Sequence, residues 1–92
     1  MNARTVTVRV RGRVQGVGFR YWTQEEAEWF GIVGWVRNEP EGSVKALFSG
    51  ADEAVAEMLE RLRQGPRGAV VSDVEILPPG VQDVPADFRI LR

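Results

Sequence analysis

The chain begins with strict alternation. Val6, Val8 and Val10 fall on one side of an extended segment at 5–11, and Thr5, Thr7, Arg9 and Arg11 on the other. A period of two with one apolar side predicts a half-buried strand. The period then changes. Over 21–30 the pattern is helical, with Phe19, Trp22, Thr23, Ala27 and Phe30 on one broad face and Trp29 at its edge. Glu26 falls inside that apolar sector, where it must either snorkel outward or meet an arginine. Gly31 provides a left-handed stop. Segment 32–38 is apolar on both parities through Ile32, Val33, Trp35 and Val36, which predicts a strand covered on both faces. Gly34 inside it points to a close neighbour or a bulge.

Turn formers occupy 38–42, and 43–49 is a third strand with Val44, Ala46 and Phe48 in phase, completing a hairpin. Ala51, Ala54, Val55, Met58, Leu59 and Leu62 predict a helix over 51–64. Asp52 and Glu53 in its first turn, and Arg61 and Arg63 in its last, suit the helix dipole. After Gly65-Pro66 a fourth strand is expected over 69–77, with Val70, Val74 and Ile76 facing the core. Pro78-Pro79-Gly80 ends it, 81–86 is a loop without a pattern, and Phe88 and Ile90 mark a short closing strand. Strand–helix–strand–strand–helix–strand, joined by right-handed crossovers, predicts a ferredoxin-like α/β sandwich. This is an α+β fold in which an antiparallel sheet of four or five strands carries both helices on one face. At 92 residues the chain is read as one domain, 1–92.

Composition narrows the chemistry. There is no Cys and no His, which removes cysteine nucleophiles, histidine acid–base catalysis and Cys/His metal sites. No cofactor or metal is expected. A net charge of −1 offers no general field for nucleic acid or anionic membrane. No run approaches the ~20 apolar residues of a membrane span, and the first residues lack a signal-peptide core. A cytoplasmic monomer is the expectation.

Two places carry candidate chemistry. In Gly12-Arg13-Val14-Gln15-Gly16-Val17-Gly18-Phe19-Arg20, three glycines free the backbone to curl. Arg20 then stands at a helix start, where partial positive charge and open N–H groups already gather. A bound anion would reconcile the two; a plain strand-to-helix connector with a solvated arginine is the alternative. The loop lacks the Gly-Lys-Ser/Thr ending of a nucleotide-binding loop and the third glycine of a dinucleotide fingerprint, so a single phosphoryl-sized group fits it better. Asn38 is either a turn-starting residue before Glu39-Pro40 or a polar group beside that loop. Its amide can orient a water but cannot accept a proton as a base.

Gly12-x-Val14-Gln15-Gly16-Val17-x-Phe19-Arg20, with Gly34-Trp35-Val36-x-Asn38 and Gly42-x-Val44, closely resembles the acylphosphatase family over nearly the full length. The resemblance implies the same sandwich fold and hydrolysis of small acyl phosphates, with inorganic phosphate as product and competitive inhibitor. It implies that Arg20 and the backbone N–H groups of Gln15, Gly16, Val17, Gly18, Phe19 and Arg20 bind the phosphate. It implies that Asn38 positions the attacking water, with Thr23 in support. Two further readings keep the fold. One is a non-catalytic or carbamoyl-phosphate-directed module of a larger protein. The other is an RNA-binding domain, which the absence of stacking aromatics on the two central strands disfavours. Trp22, Trp29 and Trp35 are expected to pack in the core. The pairs Asp52/Glu53 and Glu25/Glu26 are read as solvated or dipole-directed charges.

Overall fold

In the computed structural model, which describes residues 3–80 and 83–92, the opening alternation becomes a central strand, β1 (Ala3–Arg13). Then follow α1 (Phe19–Trp29), β2 (Val33–Asn38), β3 (Val44–Ala51), α2 (Asp52–Gln64), β4 (Val70–Ile76) and β5 (Phe88–Ile90). One sheet runs in the order β4-β1-β3-β2-β5. Val6, Val8 and Val10 of β1 join Val44, Ala46 and Phe48 of β3 on the helix side. There they pack with Phe19 and Ala27 of α1 and Val55, Met58 and Leu62 of α2. Burial of each larger side chain in such a core contributes roughly 1.5–3 kcal/mol.

The sheet is mixed rather than purely antiparallel. β1 pairs antiparallel with β3 and β4, and β2 antiparallel with β3, but β5 runs parallel to β2, with Gly34, Trp35 and Val36 opposite Phe88, Arg89 and Ile90. The connection from β4 crosses the sheet to its far edge, and a strand arriving there from the same end as β2 must run parallel to it. The unpatterned loop at 81–86 belongs to this crossing; residues 81 and 82 lie outside the described residues.

Segment 32–38 is covered on both faces, as its double apolar parity predicts. Val36 faces the helices, while Trp35 is only 8% exposed, with the guanidinium of Arg37 4.9 Å from its ring centre. Leu47, opposite Trp35 in the ladder, is fully buried as well. Glu26 meets Arg61 at 3.1 Å, so the misplaced acid of α1 finds its arginine on α2. Gly34 is a close approach: at φ 146° a Cβ would collide with the Leu47 carbonyl.

Three expectations about packing fail. Trp29 is 81% exposed and lies outside the core, because α1 buries the narrower stripe Phe19, Thr23 and Ala27. On β4, Val70 is 62% exposed, and Val71 packs on the core in its place. A bulge is the cause. Arg11 pairs with Asp73 but Gly12 with Val71, so Ser72 is extra and the alternation changes phase. Ile76, expected in the core, is also largely exposed at the strand end.

Gly34→Ala combines an unfavourable φ with a backbone collision. It should destabilise the fold by about 3 kcal/mol or more, read as a lower urea midpoint with an unchanged m-value.

Candidate active site

The loop between β1 and α1 is shaped by Gly16 (φ 75°) and Gly18 (φ 76°), both left-handed. A Cβ at either would meet nothing within 4 Å, so backbone conformation rather than space calls for glycine. Gly18 is also the N-cap of α1, which has no side-chain cap and no acidic residue in its first turn. The first N–H of this region to find a backbone acceptor is that of Trp22, on the Gly18 carbonyl at 3.0 Å. Among the described residues, the N–H groups from Gly16 to Tyr21 have no acceptor. Successive open N–H groups at a helix start form a concave donor array for an anion.

Arg20 lies inside the first turn of α1, slightly deeper in the helix than its sequence position implies. Its Nη1 donates to the Leu91 carbonyl at 3.3 Å, and the Leu91 N–H in turn donates to Val36 O at 2.8 Å. Gln24 Nε2 donates to Phe88 O at 3.0 Å, a second tie from α1 to the end of the chain. The guanidinium is thus steadied by a neutral carbonyl, and no carboxylate among the described residues neutralises it. Asn38 ends β2, paired with Val44. A pocket of about 100 Å³ brings Asn38 and Arg20 together with Gly16, Gly18, Val14, Phe19 and Tyr21.

The other site candidates divide. Val17 belongs to the loop and packs partly on the core. Phe19 lines the pocket from below, fully buried. Thr23 does not reach the pocket; its buried hydroxyl donates to Phe19 O at 2.8 Å within α1. Tyr21, absent from the sequence candidates, is 65% exposed at the pocket rim. Its position next to Arg20 was the available signal.

The side chain of Gln15, expected to serve through its backbone alone, reaches away from the loop. Its Nε2 donates to Glu39 O at 2.8 Å and to Ser43 O at 2.9 Å. These carbonyls belong to the turn after Asn38, which is closed by Glu39 N–H to Ser43 O at 2.8 Å. Ion pairs hold the same turn: Arg37 with Glu39 at 3.1 Å and Arg9 with Glu39 at 3.7 Å. Glu41 accepts from Ser43 Oγ at 2.6 Å and from Ser43 N at 3.2 Å. Those two bonds, aided by the charge of Arg9, hold the Glu41 carboxyl below the usual carboxylate range. At the far edge of β1, Glu75 and Asp73 raise Arg11 above its ordinary value, chiefly through the hydrogen bond to Glu75.

Fold and pocket together define a ferredoxin-like domain with a small cationic cradle beside a free amide. The chain belongs to the acylphosphatase family, whose model matches residues 6–90. An acylphosphatase of Rhizobium etli is 59% identical over 85 residues, covering 92% of this chain and 90% of that one. The structure of an acylphosphatase from Coxiella burnetii superposes with a TM-score of 0.90 at 36% identity, covering 98% of this chain and 94% of that one. That of Bacillus subtilis acylphosphatase gives 0.89 at 32% identity, covering 99% and 100%. The protein is accordingly an enzyme that hydrolyses acyl phosphates.

The lowered Glu41 value contributes stability that is complete above the ordinary glutamate range and is lost as pH falls through the folded value. Glu41→Gln should therefore melt below the wild type at about pH 7, and the difference should shrink as pH falls through the lowered folded value of Glu41.

Proposed function

We propose that hydrolysis proceeds by in-line attack of water on the phosphorus of a small acyl phosphate, in the pocket between the β1–α1 loop and Asn38. What carries this reading is the lining of that pocket: open loop amides, a guanidinium without an acidic partner and a carboxamide in one small space. The loop N–H groups and Arg20 bind the phosphoryl oxygens and balance their charge as the bond to the leaving group breaks. Asn38 accepts from and donates to the attacking water, fixing its line of approach.

No general acid is needed on this account, and the protons of the attacking water stay on the product as H2PO4−, so no side chain has to take one up. The leaving group is a carboxylate whose conjugate acid has a pKa of roughly 4–5, so it departs unprotonated at neutral pH. Donors that position and neutralise are then sufficient. An alkyl phosphate, which must expel an alkoxide, gains little from the same site. The chain contains no His or Cys, and no cluster of carboxylates able to hold a metal is present among the described residues. The proposed steps run through the chain's own amides and guanidinium. In this reading residues 1–92 act as one domain, a monomer in the cytoplasm, and inorganic phosphate is both product and competitive inhibitor. No helix of the described residues is long and apolar enough to cross a membrane.

Benzoyl phosphate hydrolysis tests these roles. Arg20→Gln should raise KM and the phosphate inhibition constant and lower kcat, whereas Asn38→Ala should lower kcat about 10²–10³-fold with KM little changed. An active Asn38→Ala enzyme would remove the water-aligning role. Turnover of an alkyl phosphate monoester at a rate equal to that of benzoyl phosphate would overturn the leaving-group argument, and loss of activity on chelation would overturn the metal-free chemistry.

A further inference from the structure

The two halves of the site have no direct ladder between them. The phosphate cradle follows β1 and Asn38 ends β2, and in the sheet β3 separates these strands. The loop bends through Gly16 and Gly18, and the turn after Asn38 through Gly42, all at positive φ. In-line attack nonetheless tolerates little error in the separation of water and phosphorus.

One side chain spans the gap. Gln15 leaves the cradle loop, and its Nε2 donates to Glu39 O and Ser43 O, the carbonyls that flank the Asn38–Val44 pair. Both carbonyls already accept a backbone bond, Glu39 O from Gly42 N–H at 3.1 Å and Ser43 O from Glu39 N–H at 2.8 Å. Gln15 fills their second lone pairs. Among the described residues, no other side chain of the loop makes a hydrogen bond to the turn. From the opposite side the turn is held by the pairing of Glu39 with Arg37 and Arg9.

We propose that the Gln15 carboxamide is a positioning residue that sets the distance between the phosphate cradle and Asn38, a reading that rests on the water-aligning role of Asn38. It touches neither phosphate nor water through its side chain. Its effect reaches the reaction through the turn, and so falls on kcat rather than on phosphate affinity.

The test is a double-mutant cycle on benzoyl phosphate hydrolysis. Gln15→Met, which keeps length and volume but removes both donors, should lower kcat about 10- to 100-fold, with KM and the competitive inhibition constant for phosphate within about twofold. In an Asn38→Ala background the same change should alter kcat by less than about twofold, because the aligned group is already gone. An equal kcat loss in both backgrounds, or a rise in KM and in the phosphate constant at unchanged kcat, would overturn the proposal while leaving Asn38 its role. Full activity of Asn38→Ala alone would instead overturn the role of Asn38. A second measurement needs no variant. In the wild-type protein the Gln15 side-chain amide protons should exchange slowly with solvent, and exchange as fast as in an exposed glutamine would overturn the contact.

Discussion

Uncompensated positive charge at the start of α1 is the constraint to which the rest of the site answers. The helix begins at an uncapped glycine, has no acid in its first turn and carries an arginine there. In a domain without a ligand, each of these choices costs stability: caps, first-turn acids and paired guanidinium groups are the ordinary ways to satisfy a helix N-terminus. Here all three are absent together, and Gly16, Gly18, Phe19, Arg20 and Tyr21 line one pocket. The arrangement is a set of open donors at a helix start, the kind of terminus that favours an anion.

Around that terminus the fold supplies rigidity from distant parts of the chain. The closing strand is short, but it places Leu91 where its carbonyl holds Arg20 without neutralising it. A carboxylate in the same place would have neutralised the guanidinium. On the other side the β2–β3 turn is braced by two arginines and by Gln15, so that Asn38 stands on a supported rather than a free turn. Gly34 lets β2 lie tightly against β3 at Leu47, and β2 carries Asn38 at its end.

The elements were legible from the sequence because each rests on a local period. Val6, Val8 and Val10, and Val55, Met58 and Leu62, face the core as their spacing predicts. The loop and Arg20 stood out for a different reason: glycines in a short run and an arginine at a helix start conflict with local preference, and the structure gathers Gly16, Gly18 and Arg20 with Asn38 around one pocket. What failed had non-local causes. Val70 and Val71 exchange faces because of a bulge opposite Gly12, which no alternation rule can place. Trp29 is exposed because α1 lies against the sheet through a narrow stripe. The parallel pairing of β5 depends on which edge the chain reaches after crossing the sheet.

By itself, then, the sequence determined the order and type of the elements, the family resemblance and the candidate residues for its chemistry. Periodicity and residue identity are properties of a few neighbouring positions. Only the tertiary structure decided which partners those residues meet. Leu91 lies 71 positions from Arg20, and Glu39 lies 24 from Gln15. Contacts at such separations are set by strand order and packing, to which no local pattern is sensitive. Thr23 shows the same division from the other side. Its residue type suited a site, but its place on the buried face of α1 gave its hydroxyl to the helix backbone.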